Sequence, residues 1–118
     1  MSHDTRKNVW DALEACRALR EFSAGHTLET YLANQRDRRS IEREFEILGE
    51  ALNRVVKADP SFRDRYPETG RVIGMRNRIA HGYDTVRDSA VLAAAQENVP
   101  ALADMLAAWL KENGGQQP

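Results

Sequence analysis

The chain holds 118 residues, 42% hydrophobic, 30% charged and 7% aromatic, which is enough for one compact domain and too few for two. No stretch approaches the roughly 18 to 20 uninterrupted apolar residues of a membrane helix, and the polar start from Met1 to Asn8 is not expected to serve as a secretory signal. Seventeen Lys and Arg against 18 Asp and Glu give a formal net charge of -1, so the body as a whole is not that of a general DNA coat protein. A single cysteine, Cys16, excludes an internal disulfide and suits a reducing, cytoplasmic setting in which the fold rests on its core.

No segment shows the strict alternation of a half-buried strand, and the pattern is helical throughout. The first helix is expected from Asp4 to Ala24, with Val9, Leu13, Cys16, Leu19 and Phe22 at helical spacing and Gly25 as its C-terminal stop. Thr27 is placed to cap a short helix reaching Asn34. Ile41, Phe45, Leu48, Leu52 and Val55 then draw one apolar stripe along a helix reaching Ala58, ended by Asp59 and Pro60. Gly49 inside that helix costs ~1 kcal/mol relative to alanine, which predicts close approach of another helix there.

A loop with Phe62, Tyr66 and Pro67 leads to a helix expected over Thr69 to Ala80. The last helix carries Leu92, Ala95, Val99, Leu102, Leu106 and Trp109 in register, with a kink or restart predicted at Pro100. Residues 1–112 are read as one domain and 113–118 as a disordered tail. Stripes on four to five helices joined by short connections can be buried only against one another, giving an all-α, up-and-down four- to five-helix bundle.

The dense cluster of potential chemistry is Arg76-Asn77-Arg78-Ile79-Ala80-His81-Gly82-Tyr83-Asp84. Histidine exchanges a proton near neutral pH, arginine grips phosphate, and tyrosine stacks on a base or acts as a nucleophile, a set that suits phosphodiester chemistry. The plainer reading is a helix C-terminus, with Gly82 as the stop and Arg78 and His81 meeting the dipole. On an ideal helix Arg76 and His81 point about 140° apart. Either the helix unwinds at Ala80 to Gly82, or the pair is completed by a second chain across a two-fold axis.

Arg76, four residues, His81, one residue, Tyr83 resembles the R-x4-H-x-Y motif of the HepT-like toxins of the HEPN superfamily. Arg43 to Ala51 resembles that family's helix ending in Ile-Gly-Glu-Ala, Arg76-Asn77 its Arg-Asn pair, and Asn98 to Leu102 its late Leu-Pro-x-Leu segment. Tyr66-Pro67-Glu68 departs from the Ile-Pro-Trp often found before the motif helix, so one wall of the cleft is expected to differ.

The resemblance implies a homodimeric HEPN-like bundle acting as a metal-independent endoribonuclease, without cofactor, and as the toxin of a toxin-antitoxin pair. Its antitoxin would be a minimal nucleotidyltransferase that silences it by AMPylation of Tyr83. In this scheme His81 is the general acid or base, Arg76 stabilises the charged phosphorane, and Asn77 orients or supports them. The alternative is a non-catalytic nucleotide- or RNA-binding module partnering a nucleotidyltransferase, and a third reading is a purely structural dimerisation partner.

Other positions have duller readings. His3 and His26 are isolated and read as surface residues. Glu50 either pairs with Arg76 or Arg78 or is solvated. Arg36, Arg38 and Arg39 sit beside Asp37 and Glu42 on a mixed face, and Trp10 and Trp109 belong to the core or a dimer interface.

Overall fold

A computed structural model describes residues 3–80 and 88–114, and every regular element among them is helical. Helix α1 spans His3–Ser23, with Asp4 in its first turn and Arg20 in its last, each charge opposing the helix dipole. Gly25 follows at φ +76°, the left-handed conformation that lets the chain leave the helix without a Cβ penalty. Helix α2, Leu28–Ala33, is capped as the sequence predicts: Thr27 Oγ1 accepts from Thr30 N, and Thr30 Oγ1 accepts in return from Thr27 N. Asn34 then caps α3, Gln35–Ala58, by accepting from Asp37 N.

The predicted loop after Pro60 contains one further helical turn, α4, Ser61–Arg65. Phe62 from this turn is buried, with its ring 4.6 Å from Tyr66 and 6.2 Å from Trp109 between centroids, and that aromatic contact holds the turn against the bundle. Helix α5 covers Glu68–Ala80. The last rod is composite: α6, Asp88–Ala93, a π-helical turn at Ala94–Asn98, and α7, Val99–Glu112. The disturbance predicted at Pro100 lies just before it. Pro100 has no N–H to donate, and the widened turn, in which Val99 N donates to Ala94 O, absorbs the missing bond without ending the rod.

Four long rods, α1, α3, α5 and the α6–α7 rod, therefore carry the bundle, and α2 and α4 are short connectors. Helix α3 packs against both α1 and α5, and α1 also packs against α7. The predicted stripes form the core: Val9, Cys16 and Leu19 of α1, Ile41, Phe45, Leu48, Leu52 and Val55 of α3, and Leu102 and Leu106 of α7 are all buried. At the end of α7, Asn113 N donates to Trp109 O and Leu110 O, so the first residue assigned to the tail caps the helix; residues 115–118 lie outside the described residues. No described helix is long and apolar enough to cross a membrane.

Candidate functional site

The site is built where α5 lies closest to α3. A Cβ placed on Gly49 would collide with Arg76 Cβ and stand 2.6 Å from its Cγ, so the glycine lets the arginine stem lie directly on the α3 backbone. That is the close approach the mid-helix glycine predicted. Val72 on α5 is buried and Ile79 packs against the core, so the helix face they share with Arg76 is turned inward. The stem of Arg76 is thus fixed by packing before its charged end makes any contact.

At that end, Arg76 Nη1 donates to Asn77 Oδ1 at 3.0 Å. Arg76 Nε is buried and has no hydrogen-bond partner among the described residues. An arginine with one donor oriented by its neighbour, its stem wedged against glycine and another donor unsatisfied is arranged to receive an anionic oxygen. The structure therefore brings Arg76 and Asn77 together. His81 and Tyr83, the other two motif positions, lie outside the described residues, directly after the last residue of α5.

Of the two readings for Glu50, the structure supports the solvated one: its Oε1 accepts from Arg54 Nη2 at 3.3 Å on the exposed face of α3. The arginines at the start of α3 do lie on a mixed face, with Arg36 and Arg39 exposed and Asp37 between them. Trp109 is core, whereas Trp10 is only partly buried and lies beneath the Arg17 guanidinium, 5.5 Å from its ring centroid. Cys16 is fully buried, and desolvation, partly opposed by Arg20, pushes its thiol up to about 12, so it stays protonated and inert at neutral pH.

His26 is the residue that sequence reasoning undervalued. Its side chain is only 12% exposed, with Nε2 2.7 Å from Asp37 Oδ2 and Nδ1 2.8 Å from Thr30 Oγ1. Asn34 Nδ2 also donates to Asp37 Oδ2, and Gln96 Nε2 donates to the carbonyls of Ser23 and His26. This knot ties the α1–α2 connection to the start of α3 and to the π turn. Its partners lie 4, 11 and 70 positions away, so among them only Thr30 is visible at helical spacing.

A second unsatisfied patch lies on α5, where Glu68 Oε2 and Thr69 Oγ1 are buried without hydrogen-bond partners among the described residues. A cavity of about 320 Å³ opens beside Glu68, between α5 and the α6–π segment. Among the described residues, no group of three His, Cys, Asp or Glu side chains is placed to hold a metal ion.

Comparison with known proteins adds a family to this geometry. The model of a family described as "HepT-like: Ribonuclease HepT-like" matches residues 12–108, a span from α1 to α7 that includes Gly49, Arg76 and the whole motif. No solved structure matches the chain.

Proposed function

Given that the chain belongs to the HepT-like ribonuclease family, we propose that it is a toxin-type endoribonuclease whose reaction centre is Arg76 and His81. The observation that carries this reading is Arg76 itself: seated on Gly49, oriented by Asn77, and holding a buried unsatisfied Nε five residues before His81. In the proposed reaction the ribose 2′-oxygen attacks the adjacent phosphorus and the bond to the 5′-oxygen breaks. The products are a 2′,3′-cyclic phosphate and a 5′-hydroxyl. His81 takes the proton from the attacking oxygen or delivers one to the leaving oxygen, and Arg76 neutralises the charge that grows on the phosphorane. Asn77 positions the guanidinium.

These groups supply both proton transfer and charge stabilisation, so the reaction is proposed to need no metal. The protein is proposed to work in the cytoplasm as a homodimer in which two motifs face one cleft, an arrangement that answers the 140° separation expected for Arg76 and His81 on one ideal helix, at about 100° per residue. Its proposed antitoxin is a minimal nucleotidyltransferase. In AMPylation the Tyr83 oxygen would attack the α-phosphorus of ATP, releasing pyrophosphate and the phenolic proton and leaving AMP on the ring. The added anion would compete with RNA phosphate for Arg76.

The test is cleavage of labelled transfer and messenger RNA in chelator by protein shown by intact mass to carry no adenylate, with His81→Ala as control. Cleavage by the wild-type protein alone, leaving cyclic phosphate ends, is the expected result. RNA that is bound and left intact by the unmodified protein would favour the non-catalytic binding module.

A further inference from the structure

We propose that the cavity between α5 and the α6–π segment is a nucleobase subsite that selects, through Glu68, RNA bases carrying an amino group. This rests on the ribonuclease reading and names the part of the substrate that this face would choose. The cavity, about 320 Å³, is at the lower end of the roughly 300–1,000 Å³ range of ligand sites. Its walls are apolar: Val72 and Met75 of α5 face Ala90 and Ala93 of α6, and buried Phe45 of α3 closes the floor. Glu68, Arg71 and Asn98 supply the polar groups. Apolar walls with a few polar groups suit a base splayed out of single-stranded RNA.

Glu68 gives the slot its selectivity. Arg71 Nη1 lies 3.3 Å from Glu68 Oε1, whereas Oε2 is buried and has no hydrogen-bond partner among the described residues. A buried carboxylate oxygen without a donor is costly, and a turn of the Glu68 carboxylate at the slot wall lets an N–H brought in by a ligand remove that cost. Adenine, cytosine and guanine each carry an exocyclic amino group, and guanine adds a ring N–H beside it. Uracil offers one ring N–H between two carbonyl oxygens, and those oxygens repel a carboxylate.

The slot also shares its helix with Arg76 of the proposed reaction centre. Glu68, Val72 and Met75 recur at helical spacing on α5, and Arg76 follows Met75. Eight residues separate Glu68 from Arg76, roughly 12 Å along the axis at ~1.5 Å per residue. That places the slot within reach of a nucleotide neighbouring the one whose phosphate meets Arg76. On the other side of Arg71 and Met75 a second hollow lies over Gly70 and Gly74, with Arg78 at its edge. A Cβ on Gly74 would meet nothing within 4 Å, so the helix backbone is open there for a phosphate strand crossing between Arg71 and Arg78.

The experiment compares wild type, Glu68→Gln and Ala90→Trp on a randomised RNA in chelator, with cut sites mapped by sequencing. In parallel, guanosine, cytidine and uridine monophosphates are titrated while the methyl resonances of Val72 and Met75 are followed. Ala90 is exposed, so the tryptophan fills the slot from its rim without entering the core, and circular dichroism checks each fold. The expected result is a preference for amino-bearing bases over uridine beside the cut of roughly tenfold, with guanosine and cytidine monophosphates shifting both methyl signals. Glu68→Gln, which presents an amide donor, flattens or reverses that preference, and Ala90→Trp abolishes the shifts.

Cleavage by both variants with the wild-type base profile overturns the subsite and leaves the ribonuclease standing. If unmodified wild type does not cut, the ribonuclease reading falls and the titration decides the slot. Shifts abolished by Ala90→Trp, and no longer favouring guanosine and cytidine over uridine monophosphate in Glu68→Gln, support a nucleobase site; no shifts in wild type, or shifts unchanged in both variants, overturn it.

Discussion

Helix α3 meets two kinds of neighbour, and they hold their charged side chains differently, although buried atoms without partners among the described residues occur beside both: Tyr31 Oη and Arg38 Nε near its start, Arg76 Nε at its middle. At its start, the Asp37 carboxylate is shared by His26 and Asn34, and Gln96 reaches across to the backbone of the α1–α2 connection. At its middle, Gly49 admits Arg76, and among the described residues Arg76 Nε and, on the same helix α5, Glu68 Oε2 and Thr69 Oγ1 have no partner. A carboxylate shared as Asp37 is stabilises position and is already satisfied. An open set of polar groups costs stability and is available for binding, so the difference separates the corner that builds the fold from the face proposed to use RNA.

The sharpest way to break this comparison is to remove the charge that the open face holds. Arg76→Ala is expected to lower RNA cleavage by ~10²–10³-fold while thermal unfolding stays close to wild type. His81→Ala is expected to cost ~10²–10⁴-fold with RNA affinity nearly unchanged, as a filter-binding assay would read. If Arg76→Ala lowers the unfolding temperature and spares turnover per folded molecule, the open face is structural.

Gly49→Ala sharpens the comparison by testing the seat rather than the charge. The added methyl collides with the Arg76 stem, so a loss of ~1–3 kcal/mol in urea denaturation is expected, along with a fall in cleavage. Alanine is otherwise the better helix former, so a gain in stability would show that α5 slides away at no cost.

On the closed side, His26→Ala leaves Asp37 with Asn34 as its remaining side-chain partner and opens the knot at the head of α3. An expected loss of ~1–2 kcal/mol in stability, with the cleavage rate per folded molecule unchanged, would mark this corner as scaffold alone.

The effect that is absent at neutral pH belongs to Cys16. Its folded thiol titrates near 12 against 9.0 for the free group, so above pH 9 the unfolded chain loses a proton that the folded chain keeps. Stability therefore falls as pH rises from about 9 toward 12, by at most ~1.4 kcal/mol per pH unit, and Cys16→Ala should remove that share of the slope. Tyr31, also raised by burial, contributes in the same direction from its ordinary value of 10.0 upward and persists in the variant.

Much of the fold was legible because its signals are local. The stripe Ile41, Phe45, Leu48, Leu52 and Val55 is buried along its whole length, Gly25 ends α1 with positive φ, and Thr27 caps α2. Gly49 was legible for the same reason: a glycine inside a strong helical stripe needs a neighbour to explain it. The single turn at Ser61–Arg65 was missed because it is too short to show a period, and Phe62 holds it by contacts distant in sequence. At the site, the residue types and spacing of Arg76, His81 and Tyr83 were readable, but the orientation of Arg76 was not.

The sequence alone determined the all-helical class, most helix boundaries and the position of the chemical cluster, since each depends on periodicity, capping or a short motif. Only the tertiary structure decided that Glu50 pairs with Arg54, that His26 is a structural knot, that the strain at Pro100 is absorbed by a π turn, and that Glu68 borders a cavity with one oxygen unsatisfied. Most of these depend on which donors and acceptors from distant parts of the chain meet in space, and that pairing has no period along the sequence.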